Sequence, residues 1–264
     1  MKGAVVLDKS YLEAKGRDHI RQLCQDHQVL MVETLFLELL TTSDPKFRAA
    51  CFRKFPPGEN PVELIENVGS LLRYETEKRA PASPILDRRI PIRFVFNDKM
   101  GAGTFSFSSE QHSDLNEWEA QIEEDGSRLK NCAAATDGWF PTLAHYKPGQ
   151  PTDEIDRLRR IVASDADFVR EIYGQIKHES FPEPAFLTPE WAFFRWVQVQ
   201  LLTALEYIRR YGPRRTDVHS KEIPQDVADS HYMVAACLAG GFATCEKALQ
   251  KSFRLLRPDG MLLT

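Results

Sequence analysis

Six acidic residues stand where apolar runs give way to polar ones. Asp8 closes Ala4-Val5-Val6-Leu7, Glu33 follows Val29-Leu30-Met31-Val32, and Glu38 comes five residues later. Asp226 and Asp229 stand at helical spacing in the C-terminal part of the chain, and Glu246 follows Phe242-Ala243-Thr244. Two like charges ~4 Å apart repel by about 1 kcal/mol in water and about 4 kcal/mol at an effective dielectric of 20. Carboxylates brought to one edge therefore call for a proton or a divalent cation. Oxygen ligands without His or Cys favour Mg²⁺ or Mn²⁺ over zinc. Such an ion suits phosphoryl chemistry, because it polarises a phosphate and activates a water.

The elements that must carry these acids are legible in the hydrophobic pattern. Ala4–Leu7 is apolar on both faces, as a buried strand of a parallel sheet requires. After Asp8 and Ser10 a helix is expected to about Asp26, with Tyr11, Leu12, Ile20 and Leu23 as its apolar stripe. Val29–Val32 reads as a second buried strand. Glu33-Thr34 then opens a helix with the i,i+4 pairs Leu35, Leu39 and Phe36, Leu40. Right-handed crossovers make this a parallel arrangement, in which functional residues sit beyond the carboxyl ends of strands. Near the C-terminus, Asp229, Tyr232, Met233, Ala236 and Cys237 predict a helix through Ala239. Gly240-Gly241 breaks it, Phe242-Ala243-Thr244 is a short strand, and Leu255-Leu256 is expected to be the last strand.

The pattern changes between residues 44 and 221. A helix is expected from Pro61 to about Arg79, with Leu64, Val68, Leu71 and Leu72 inward. Ile90, Ile92, Phe94 and Phe96, then Phe105 and Phe107, alternate as in a hairpin, which makes Gly101-Ala102-Gly103-Thr104 a turn rather than a phosphate loop. Ser113–Lys130 reads as a solvated helix, and Thr152 as the cap of a helix carrying Ile155, Leu158 and Val162. Pro189–Arg210 is a helix with Thr188 at its N-cap and Gly212 at its end. Its Trp191–Trp196 stretch reads as core. The expected architecture is one α/β domain with its core in residues 1–43 and 222–264, and a mostly helical insertion at 44–221.

Bulk properties narrow the function classes. With 264 residues, 42% hydrophobic and 27% charged, the chain can bury a sizeable core. A formal net charge of −4 argues against attachment to nucleic acid by bulk charge. Five cysteines without a C-x-x-C pair fit neither a disulfide framework nor a zinc site. The longest nearly apolar run, Tyr232–Ala243, is too short to cross a bilayer, so a soluble, cytoplasmic protein is expected, with no membrane partner.

Four stretches taken in order resemble the motifs of the PIN-domain family of metal-dependent nucleases. They are Val5-Val6-Leu7-Asp8-Lys9-Ser10, Val32-Glu33-Thr34-Leu35-Phe36-Leu37-Glu38-Leu39, Asp226-Val227-Ala228-Asp229-Ser230-His231-Tyr232 and Ala243-Thr244-Cys245-Glu246-Lys247. The resemblance implies a three-layer PIN-like fold, a central parallel sheet flanked by helices. It implies that Asp8, Glu38 and Asp229 hold Mg²⁺ or Mn²⁺, that Glu246 completes the cluster, and that Thr244 bonds a carboxylate or a water on the ion. Asp226 joins the candidate ligands, although helix capping accounts for it better, and Glu33 is read as a helix N-terminal charge. The implied activity is phosphodiester hydrolysis, RNA favoured over DNA, in a toxin or defence setting with a homodimer or a partner protein such as an antitoxin. Glu246 stands where the family has Asp, and the insertion is long. Both motivate an alternative, a catalytically weak PIN-like binding or assembly module. His231 is expected to be partly exposed rather than a general base. Arg209, Arg210, Arg214 and Arg215 either steer phosphates or form a solvated helix end.

Overall fold

The computed structural model describes residues 2–91, 93–96, 98–102, 104, 106, 108–213 and 223–264. In chain order the elements are β1 (Ala4–Leu7), α1 (Lys9–Ala14), α2 (Arg17–Asp26), β2 (Gln28–Val32), α3 (Glu33–Thr41), α4 (Pro45–Phe52), β3 (Glu63–Ile65) and α5 (Val68–Lys78). They continue with α6 (Asp98–Ala102), α7 (Ser109–Trp139), α8 (Asp153–Ser164), α9 (Ala166–Ile176), α10 (Ala192–Tyr211), α11 (Ile223–Ala239), β4 (Gly241–Ala243), α12 (Lys247–Leu256) and β5 (Met261–Leu263). The class is α/β. A five-stranded sheet has the order β3-β2-β1-β4-β5, and every neighbouring pair is parallel.

Two compact units divide the chain. One comprises Met1–Leu71, Ser83–Glu117 and His231–Thr264 and contains the sheet; the other comprises Leu72–Ala82 and Trp118–Ser230. Residues 44–71 and 83–117, expected within the insertion, thus cluster with the sheet.

β1 is central because nothing on it needs water. Val5, Val6 and Leu7 are each fully buried. Val5 pairs with Val29 of β2, Val6 pairs with Leu30 on one side and Phe242 of β4 on the other, and Leu7 pairs with Ala243. Gly241 permits this second pairing, since a Cβ built on it would lie 2.2 Å from the Ala4 carbonyl oxygen. Gly240, at φ +83°, makes the turn out of α11.

Several elements differ from the sequence expectation. The helix expected from Ser10 to Asp26 is two, α1 and α2, parted at Gly16, while the stripe of Tyr11, Leu12, Ile20 and Leu23 is buried as expected. Glu63-Leu64-Ile65 is the edge strand β3, paired with β2, and the following helix starts only at Val68. The spacing of Leu64, Val68 and Leu71 mimics a helix, but Asn67 accepts the Ser70 amide at 3.1 Å and sets the helix start there. Leu255 and Leu256 close α12, and the last strand is Met261–Leu263. The expected hairpin is not seen among the described residues: Phe94 and Phe96 lie outside any strand, and Gly101 and Ala102 belong to α6. Ile92, Asn97, Gly103, Phe105 and Phe107 lie outside the described residues.

The second unit is helical. α10 buries Phe194, Val197, Leu201, Leu205 and Ile208, the apolar face that helical spacing predicts, and Gly212 at φ +82° ends it. Its start differs. Trp191, not Thr188, is the N-cap residue and makes no side-chain cap. Glu75 takes that place from far away, accepting the amides of Ala192 at 2.6 Å and Phe193 at 3.0 Å. It also accepts the Ala82 amide at 3.0 Å. A carboxylate at a helix N-terminus meets both orphan donors and the positive end of the dipole.

Candidate functional site

The strand order runs outward from β1 in two directions, through β2 to β3 and through β4 to β5. The gap between the carboxyl ends of β1 and β4 is therefore a topological switch point, the place where parallel sheets open a crevice. Asp8 and Thr244 immediately follow those two strand ends.

Asp8 is buried, with 2% of its surface exposed. Its backbone holds it on both sides: its amide donates to the Ala243 carbonyl at 3.0 Å, and its carbonyl accepts the Leu12 amide at 3.2 Å. Its Oδ2 accepts hydrogen bonds from the Ser10 hydroxyl and, at 2.6 Å, from Thr244 Oγ1. Burial pushes the Asp8 carboxyl above the usual carboxylate range, against those two hydroxyl donors, which favour the anion. Ser10 Oγ in turn accepts the Cys245 amide, and Thr244 Oγ1 accepts the Glu246 amide, each at 3.1 Å. This small network ties the start of α1 to the loop after β4.

Glu38, on α3, lies in a second polar cluster of the same unit. Its Oε1 pairs with Lys9 Nζ at 2.6 Å, and its Oε2 accepts the Tyr232 hydroxyl at 2.6 Å. Glu33 accepts from Asn67 Nδ2 at 2.9 Å. His231 is buried, not partly exposed, and bonds Thr34 Oγ1 through Nδ1 at 3.0 Å. Helical spacing turns it to a different face from Asp229 but does not reveal the hydroxyl that makes its burial tolerable.

The structure thus brings Asp8 against Thr244, with the Glu246 amide on the same hydroxyl, and brings Glu38 against Lys9, the residue after Asp8. Asp226 and Asp229 belong to the second unit. There Asp226 accepts the Tyr207 hydroxyl at 2.5 Å, and Asp229 accepts from Gln225 Nε2 at 2.8 Å. Among the described residues no three His, Cys, Asp or Glu side chains gather around a point that a metal could fill. The donor chemistry at the switch point is nonetheless of one kind. Carboxylate and hydroxyl oxygens from Asp8, Ser10 and Thr244 suit a hard divalent cation.

Three side chains of this edge escaped the search for acids, namely Lys9, Ser10 and Tyr232. Lys9 and Ser10 were visible as the two polar residues directly after a strand-ending Asp. Tyr232 reads only as part of an apolar helix stripe, although a buried Tyr needs a partner for its hydroxyl. Of the arginine cluster, Arg209 and Arg210 pair with Glu206 at 2.5 and 2.8 Å in the last turn of α10. Arg214 and Arg215 lie outside the described residues.

Comparison of the chain with protein-family models, with curated proteins and with solved structures finds no match in any of the three.

Proposed function

We propose that the chain is a divalent-cation-dependent phosphodiesterase of PIN-like architecture, acting on nucleic acid, with RNA the favoured substrate on the resemblance. One observation carries this reading. A buried carboxylate, Asp8, sits at the switch point of a parallel sheet and, among the described residues, is held by hydroxyl donors rather than by a protein cation. A desolvated carboxylate in that position gains most from an ion that arrives with the substrate. Asp8 and Glu38 would hold Mg²⁺ or Mn²⁺; when bound, the ion would polarise the scissile phosphate and make a water more acidic. Ser10 and Thr244 fix the rotamer of Asp8. Lys9 neutralises Glu38 and, released from it, presents an ammonium to a phosphate. Asp229, Asp226 and Glu246 enter as ligands through the resemblance alone.

The Lys9–Glu38 contact favours a second reading as well. A lysine that already neutralises an expected ligand makes the edge self-sufficient, which suits a PIN-like binding or assembly module. The two readings separate on labelled RNA and DNA pools incubated with and without Mn²⁺. Wild-type protein should cleave only with the ion, and Asp8→Asn, which keeps an acceptor for both hydroxyls, should lose cleavage while retaining its fold. Cleavage that survives in Asp8→Asn sinks the nuclease reading. A melting temperature unmoved by millimolar Mg²⁺ or Mn²⁺ selects the module.

A further inference from the structure

Within the second unit, residues of α7 from Arg128 on, with α9 and α10, line an open cavity of about 440 Å³. That volume falls within the range of small-molecule sites, which are apolar hollows with a few polar groups that orient the ligand. Its walls follow that rule. Tyr173, Phe193 and Leu201 are buried at the inner wall, Trp139 and Trp196 are half-buried, and Ala135 is exposed at the mouth. Two indoles on one cavity are large apolar surfaces left partly uncovered by the fold.

Gln200 supplies the independent sign of a ligand. It lines the cavity, is only 8% exposed, and its Oε1 has no hydrogen-bond partner. A buried acceptor left unmade is costly, and native structures keep few of them. Oε1 is closed off in the unliganded fold, and a turn of the terminal amide about its broad sp³–sp² torsion would bring it to the cavity wall without a change of rotamer at χ1.

We propose that the cavity binds a small planar aromatic molecule carrying one N–H or O–H donor, its ring against Trp139 and Trp196 and its donor on Gln200 Oε1. The acceptor selects for a donor because an isosteric ring without one leaves Oε1 unpaired, while the aromatic walls treat both rings alike. This site is independent of the acids at the sheet edge.

Indole and benzothiophene, matched in shape and differing in the N–H, test it by calorimetric titration of the full chain. Wild-type protein should bind indole roughly tenfold more tightly than benzothiophene. Gln200→Leu should bring the two affinities together. Ala135→Trp, placed at an exposed position, should block the mouth and abolish binding of both. Equal affinities in the wild type, no indole binding up to its solubility, an indole preference that persists in Gln200→Leu, or undiminished binding in Ala135→Trp would each overturn the assignment.

Discussion

Thr244 donates a 2.6 Å hydrogen bond to Asp8 across 236 residues of chain, joining the ends of two adjacent parallel strands at the one place where the sheet reverses its winding. Thr244 is fully buried, and its hydroxyl also accepts the Glu246 amide. Thr244→Val keeps the shape and removes both bonds. It should cost about 1–3 kcal/mol in urea unfolding, because a buried carboxylate and a backbone amide lose partners together. Thr244→Ser should recover most of that loss. A loss in Thr244→Ser with none in Thr244→Val would show that the methyl group, not the hydroxyl, matters.

Lys9 and Glu38 are each about four-fifths buried, at 24% and 18% side-chain exposure, and 2.6 Å apart. On the nuclease reading the ammonium competes with the ion for Glu38. Lys9→Met should therefore strengthen Mn²⁺ binding, seen as a larger melting-temperature rise at a fixed Mn²⁺ concentration, while stability without the ion falls by about 1 kcal/mol or less. A smaller Mn²⁺ response than wild type would count against competition at Glu38.

Glu75 offers a pH test. Burial pushes its carboxyl up from 4.5 to about 7, outweighing the three amides that favour the anion. Because the native state holds this proton more tightly than the unfolded chain, the protein should lose stability as pH rises from about 4.5 to 7, by roughly 3 kcal/mol if this group acted alone. Glu75→Gln does not titrate, so its stability should change less over the same window. Parallel pH–stability curves for wild type and variant would refute this assignment.

Two glycines give opposite outcomes. Gly241→Ala forces a Cβ to 2.2 Å from the Ala4 carbonyl oxygen and must part β1 from β4, a loss of about 1–3 kcal/mol or more. At Gly138, in α7, nothing lies within 4 Å of a Cβ, so Gly138→Ala should raise stability by about 0.5–1 kcal/mol. Thermal unfolding of the two variants decides both.

What the sequence made legible follows from where the forces act. β1 and β2 were readable because a strand buried on both faces is apolar at every position, and α10 because its stripe repeats locally. β3 was not, since three residues in an edge strand carry less periodic signal than the helix that follows them. The cap of α10 by Glu75 was invisible for another reason: the donors lie 117 residues from the acceptor, and Thr188-Pro189 looked like a complete local start. The acids at strand ends were found because position alone marks them. Lys9 on Glu38 and Ser10 on Asp8 were found only in three dimensions, whereas the resemblance implied that Thr244 bonds a carboxylate and the structure shows that it is Asp8's. Neighbours in sequence do not reveal which hydroxyl turns toward which carboxylate.

The β1–β4 pairing also governs how the protein comes off the ribosome. One side of β1 can be covered early, once Gln28–Val32 has emerged. Its other side waits for Phe242 and Ala243. At about 5–20 residues per second, that leaves Val5, Val6 and Leu7 with an open edge for roughly 10 to 40 s of synthesis. The nascent chain therefore carries this apolar strand, half paired, until β4 emerges. That interval is when a chaperone would bind it and when a second nascent copy would most readily pair with it.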